Sequence, residues 1–264
     1  MSDILQRSPL SGLATLPIKR GLRALIDVLL PPRCLTCGTG LGSDGALCAP
    51  CWSKIQFIDG PVCAHCGLPF EFDEGAGALC GGCIQQPPSY RRHRSVMLYN
   101  DASRALILGF KHGDRTEGAP TFGAWLKRAG ADLVQEKTII VPVPLHRRRL
   151  FTRRYNQSAL LARGLSQALG GVIMAPGLLR RTRHTASQGS LNRIARHKNV
   201  AGAFKVHPSH AAHVGGAHIL LIDDVMTTGA TVEACTKTLL RAGAASVDVL
   251  TLARVDKPRV VRAT

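Results

Sequence analysis

The stretch that most constrains how this chain can fold runs from His218 to Leu240. His218-Ile219-Leu220-Leu221-Ile222 is an apolar run of strand length, and it ends on two adjacent carboxylates, Asp223 and Asp224. Val225-Met226-Thr227-Thr228-Gly229-Ala230-Thr231 then forms a hydroxyl-rich turn into Val232 to Leu240, where the apolar period is helical. Strand, turn and helix in that order build an open α/β sheet, with ligands held at the carboxyl end of the strand. The residue types fit one ligand chemistry. Thr227, Thr228 and Thr231 offer hydroxyls, Gly229 lets the backbone come close, Ala230 continues the turn, and the amides at the start of the following helix suit a phosphate monoester. Asp223 and Asp224 can accept hydrogen bonds from two vicinal hydroxyls. A capped strand-to-helix turn without a ligand is the plain alternative.

The cysteines define a second unit. Cys34-x2-Cys37, Cys48-x2-Cys51, Cys63-x2-Cys66 and Cys80-x2-Cys83 use eight of the nine cysteines. Each pair can place two thiolates on one tetrahedral ion, which predicts one or two structural zinc sites in a ribbon module. Sequential use of the pairs is expected, with an interleaved cross-brace as the alternative. A disulfide framework belongs to exported chains, and the N-terminus lacks the pattern of a signal peptide. No apolar run approaches about 20 residues, so membrane insertion is not expected and a cytoplasmic location is. So small a segment has too little apolar content to fold alone, and metal should supply much of its stability. His65 is expected to face solvent, and Cys235 to be a small core residue.

Residues 1–33 read as a leader followed by a short helix from Leu22 to Leu30 that stops at Pro31-Pro32. Residues 34–88 read as the double ribbon, closing on the linker Gln85-Gln86-Pro87-Pro88-Ser89, and 89–264 as one α/β domain. Within that domain the periodicity predicts strands at 94–99, 138–144, 219–222 and 246–252. Helices are predicted at 102–111, 121–134, 159–169 and 232–240. This alternation implies a mainly parallel sheet with crossover helices.

Two further segments are basic. Arg147, Arg148, Arg149, Arg153 and Arg154 follow the end of a buried strand, on the sheet edge that carries Asp223, and their guanidinium groups suit a pyrophosphate or a nucleic-acid backbone. Residues 180–200 are polar and rich in arginine, including Arg181, Arg183, Arg193 and Arg196 with Lys198. They read as a mobile flap over a bound phosphate ester or as a disordered basic insertion. Lys and Arg total 34 against 17 acids, a formal charge of +17, which calls for a polyanionic partner. His207, His210 and His213 have no acidic or thiol partner nearby in sequence and read as loop residues.

The 219–231 stretch resembles the phosphoribosyl-pyrophosphate (PRPP) motif of type I phosphoribosyltransferases. With the cysteine pairs, the whole of roughly 25–255 resembles the ComF family, competence-associated proteins with a double zinc ribbon before a phosphoribosyltransferase-like domain. The family's Arg-Gly-Phe-Asn-Gln appears as Arg153-Arg154-Tyr155-Asn156-Gln157, with Arg154 in place of the glycine. Its flap pattern is matched by Arg181, Arg183, Thr185, Gln188, Leu191 and Arg193. Met226 stands where an aromatic residue is common, and Tyr99 and Phe110-Lys111-His112-Gly113-Asp114 fit further family positions.

The resemblance implies that Asp223 and Asp224 hold ribose hydroxyls, that Thr227 to Thr231 hold the 5′-phosphate, and that Mg²⁺ accompanies PRPP. The implied reaction displaces pyrophosphate at the ribose C1 through a transition state of oxocarbenium character, with the arginines stabilising the leaving group. The acceptor is left open, and the zinc module is the one candidate for a base-recognising hood. The resemblance also implies a part in DNA uptake, with single-stranded DNA and a competence helicase as partners. On that alternative reading the protein is a non-catalytic DNA-binding component or scaffold that keeps the fold as a ligand sensor. Aromatic residues make up 5% of the chain, so DNA contacts would fall mainly on phosphates and be steeply salt-dependent.

Overall fold

The computed structural model describes residues 32–42, 47–112, 116–147, 150, 155–183 and 193–256. The N-terminal helix expected at 22–30 lies outside them. In chain order the elements are α1 (Ala49–Trp52), α2 (Gly81–Gln85), β1 (His93–Leu98), α3 (Asp101–His112), α4 (Ala119–Ala129), β2 (Thr138–Pro142), α5 (Gln157–Ala168), β3 (Leu179–Arg181), α6 (Arg193–Val200), β4 (Phe204–Val206), β5 (His218–Met226), α7 (Ala230–Arg241) and β6 (Ser246–Arg254). Short 3₁₀ turns lie at Thr116–Gly118 and Pro208–His213.

Four strands form a parallel sheet in the order β1-β6-β5-β2. Its strands are apolar on both faces, as a sheet covered by helices on each side requires. Val141, Ile219, Leu221, Val247 and Val249 face α7 and the β3–β4 hairpin. Their neighbours Ile140, Leu220, Ile222, Leu250 and Leu252 face α3, α4 and α5. Helices α4 and α5 cross closely because both contacts are glycine: a Cβ on Gly123 would run into the Gly164 backbone, and one on Gly164 into the Ala119 carbonyl.

The predicted alternation is present, with β5 running on through the acid pair to Met226 rather than ending at 222, and with three further differences. Helix α4 ends at Ala129 rather than near 134, because Gly130 caps it and leaves room for Leu250. The flap region is partly structured: β3 and β4 pair antiparallel, α6 precedes β4, and Leu179, Arg181, Val200, Ala203 and Phe204 are buried. His207, His210 and His213 lie along the 3₁₀ turn at Pro208–His213 rather than in an irregular loop, since three residues per turn bring them onto one side.

The ribbons are one motif used twice. Gly38 and Gly67 each follow the second cysteine of a knuckle with φ of 78° and 64°, and their amides donate to the carbonyls of Cys34 and Cys63. Bridges Arg33–Gly40 and Val62–Pro69 close the two knuckles in the same way. The module is built onto the edge of the sheet. Ile58 N donates to the Val96 carbonyl and Leu98 N to that of Gln56, which extends the sheet beyond β1. Trp52, Phe57, Trp125 and Phe122 run ring against ring from the first ribbon to α4, and Leu35 reaches the core beneath. Among the described residues no helix is long and apolar enough to cross a membrane.

Candidate functional site

α7, which follows β5, packs on one face of the sheet, and α5, which follows β2, packs on the other. A cleft of about 240 Å³ opens at the carboxyl ends of the paired strands β2 and β5. It is lined by Val143, Pro144 and Leu145 after β2, by Asp223 to Thr227 and Gly229 to Val232 after β5, and by Lys111, Gln157, Ser158 and Arg181.

The acid pair sits at the floor. Asp223 Oδ1 accepts from the Ser158 hydroxyl at 3.0 Å and from the Asp224 amide at 2.9 Å. Burial and the neighbouring charge of Asp224 push the Asp223 carboxyl up to about 7, against the pull of those two donors and of Lys111. Asp224 Oδ2 is 2.7 Å from Lys111 Nζ, both side chains being mostly buried. Lys111 is a site residue that sequence reasoning did not assign. The Phe-Lys pattern marked it, but its partner lies on a distant strand.

The turn above the acids has the shape expected of an anion site. Gly229 adopts the left-handed conformation, φ 78°, and is the N-cap of α7 without a side-chain cap. Ala230 and Thr231 form the first helical turn and line the cleft beside Thr227. Thr228 Oγ1 is buried with no hydrogen-bond partner among the described residues. Thr228 itself does not line the cleft, so the groups there that suit a phosphate oxygen are the Thr227 and Thr231 side chains and the amides that open α7.

The predicted arginines divide. Arg181 is buried to 9% exposure, lines the cleft, and lies over the Phe204 ring at 5.4 Å. Arg183 is exposed and donates to the carbonyls of Asn199 and Ala201 at the end of α6. Arg147 is exposed and does not line the cleft. Arg148, Arg149, Arg153 and Arg154 lie outside the described residues, and Arg193 opens α6 with its side chain outside them. The rest of the Arg-Arg-Tyr-Asn-Gln segment braces the cleft. Tyr155 OH donates to the Phe110 carbonyl at 2.8 Å, Asn156 Nδ2 to that of Val143 at 3.1 Å, and Gln157 Nε2 to that of Lys111 at 3.2 Å. Asn156 Oδ1 also caps α5 through the Ser158 amide.

The eight paired cysteines form two sets, Cys34, Cys37, Cys48 and Cys51, then Cys63, Cys66, Cys80 and Cys83, with the four sulfurs of each within 4.8 Å of one another. Pairing is sequential, and both sets fit structural zinc. The second is fully buried and the first partly exposed. His65 is half-buried rather than fully solvent-facing: its Nε2 is 2.6 Å from the Tyr90 carbonyl, because its knuckle is packed against the start of β1. Cys235 is a buried core residue, and burial pushes its thiol up. Among the described residues no part of the zinc module lines the cleft, so it is not placed as a hood. The side wall that carries Arg181 comes instead from the β3–β4 hairpin, which buries Leu179 and Phe204 against α7.

Residues 25–88 match the double zinc ribbon domain family, and residues 156–262 the phosphoribosyl transferase domain family. The chain is 34% identical over 234 residues to the DNA utilization protein YhgH of Escherichia coli strain K12, a match covering 85% of this chain and 98% of that protein. It is 30% identical over 228 residues to competence protein F of Haemophilus influenzae, covering 84% and 96%. Against competence protein ComFC of Bacillus subtilis it is 29% identical over 222 residues, covering 81% and 86%.

Proposed function

Because this chain belongs to the ComF family, we propose that its cleft binds PRPP with Mg²⁺ and that the protein serves DNA uptake or utilisation. The observation that carries the reading is the pairing, in one cleft, of two adjacent carboxylates with the helix-start turn of Thr227 and Gly229 to Thr231. Asp223 and Asp224 accept the two ribose hydroxyls. The amides from Gly229 to Thr231 and the Thr227 and Thr231 hydroxyls take the 5′-phosphate. Arg181, held over Phe204, meets phosphate charge at the side wall.

Mg²⁺, where bound, offsets charge on the pyrophosphate, and the two carboxylates offer the oxygen ligands such a hard cation takes. The reaction such a site serves is pentosyl transfer, in which the C1–oxygen bond to pyrophosphate breaks as the bond to the acceptor forms. Arg181 then stabilises the departing anion without having to reorganise. Ligand binding needs Asp223 ionised, so affinity should rise with pH up to about 7 and then level off. Calorimetry with PRPP and Mg²⁺ on the zinc-loaded protein tests the reading beside an Asp223→Asn/Asp224→Asn variant. Heat of binding that disappears in the variant supports it, and absence of binding to the wild type sinks it.

A partner other than PRPP is favoured by charge. The formal charge is +17, yet Lys111 and Arg181 are the only cations lining the cleft among the described residues. The remaining positive surface fits a polyanion such as single-stranded DNA, whose affinity would fall steeply with salt.

A further inference from the structure

We propose that Lys111 is an exchangeable counter-ion that makes the cleft selective for phosphoribosyl ligands carrying a phosphate group at C1. In the ligand-free protein it holds Asp224, and it passes to the C1 phosphates once the ribose diol takes over the carboxylates. This rests on the PRPP reading and names what the same site discriminates.

The argument starts from the ion pair. Lys111 Nζ lies 2.7 Å from Asp224 Oδ2, with side-chain exposures of 18% and 17%, so each charge depends on the other more than a surface pair would. A ribose diol can donate hydrogen bonds to the carboxylate but brings no positive charge. A ligand with a diol alone must share Asp224 with the ammonium or leave that ammonium in the cleft without an anion. A ligand that also carries pyrophosphate supplies a new anion for Lys111, and the lysine's flexible stem can swing to it.

The lysine is placed for this by its backbone. It stands in the last turn of α3, where carbonyls have no partners within the helix. Two of these are taken by side chains that open α5: Tyr155 OH on the Phe110 carbonyl and Gln157 Nε2 on the Lys111 carbonyl. Gln157 lines the cleft beside Lys111. The Tyr-Asn-Gln run thus ties the end of α3 to the cleft wall, and Tyr155 and Gln157 are positioning residues for Lys111. The other groups around the acid pair keep their roles on exchange. Ser158 and the Asp224 amide still donate to Asp223, Arg181 stays on the side wall, and Cys235 beneath is a neutral thiol.

The test is calorimetric titration of zinc-loaded wild type, Lys111→Met and Lys111→Arg with PRPP and with ribose 5-phosphate, at fixed Mg²⁺ and fixed pH. The charged hydrogen bond at stake predicts that Lys111→Met lowers the PRPP to ribose 5-phosphate affinity ratio by roughly 10- to 100-fold, with ribose 5-phosphate held at least as tightly as before. Lys111→Arg should recover most of the ratio. Loss of affinity for both ligands by the same factor, or an unchanged ratio, would overturn the proposal and leave PRPP binding standing. A wild type that binds neither ligand would overturn the PRPP reading and this inference with it.

Discussion

Replacing Asp223 with asparagine should stabilise the protein while abolishing ligand binding, and the size of the gain should depend on pH. The carboxyl is raised from an ordinary 3.8 to about 7, chiefly by burial and then by Asp224. The folded state therefore binds this proton more tightly than the unfolded state does. As pH rises from about 4, the unfolded chain gives up the proton first, and stability falls until about pH 7, where the folded carboxyl also ionises. At about 1.4 kcal/mol per unit, the full penalty is about 4 kcal/mol at pH 8 and under about 2 kcal/mol at pH 5. The carboxylate still meets water in the cleft, which we take to halve both figures. Asparagine has no proton to lose, and its Oδ1 keeps the Ser158 and Asp224 donors. The variant should then gain about 2 kcal/mol at pH 8, or about 4–8 °C in Tm for a domain of this size, and about half of that at pH 5. Thermal unfolding followed by circular dichroism with zinc supplied reads both values. A variant less stable than wild type at pH 8, or an equal gain at both pH values, would refute the reasoning.

Two more outcomes concern the zinc module. Gly67→Ala places a Cβ against the His93 carbonyl at a left-handed position, so it should cost at least about 2 kcal/mol and speed zinc loss from the second site, measured with a chromogenic chelator. In the wild type, chelator should remove zinc in two phases, first from the set containing exposed Cys37 and later from the fully buried set; per-site cysteine-to-serine variants assign the phases, and a single phase would contradict the burial difference.

What could be read ahead of the structure was whatever depends on neighbours in sequence. The β5–turn–α7 unit follows from an apolar run, two acids and a glycine, and the observed φ of Gly229 is what such a turn needs. The four cysteine pairs follow from spacing, since two-residue gaps bring sulfurs together regardless of what surrounds them, whereas the choice of sequential over interleaved sets needed the fold. Strands β3 and β4 escaped because each is three residues long and they are separated by a polar stretch with no period. The basic residues could not be sorted by role for a related reason. Charge is visible in sequence, but whether a guanidinium faces the cleft, as Arg181 does, or covers a helix end, as Arg183 does, depends on distant packing. Lys111 and the Tyr155–Gln157 brace belong to the same class, because their partners come from other elements of the fold.

The second ribbon shares its anchor with the carboxyl edge of the sheet, where the cleft lies. The Cys66 carbonyl lies 2.8 Å from His93 Nδ1 and 2.6 Å from Arg254, which donates to it. Burial, with the charge of Arg254 adding to it, drives His93 down to about 3, so the ring is neutral. Its Nδ1 must then carry the hydrogen, since a carbonyl can only accept, and its Nε2 takes a hydroxyl from the Ser95–Thr251 pair. Thr251 is the register partner of Asp223, and Arg254 that of Met226 where the turn begins. Folding of a cysteine knuckle depends on its metal, and this knuckle presents a backbone acceptor to two side chains of the sheet. Zinc at Cys63, Cys66, Cys80 and Cys83, where bound, would fix the groups on β6 that pair with Asp223 and with Met226 at the start of the β5–α7 turn. The zinc module is in that sense a wall of the sheet rather than an appended domain.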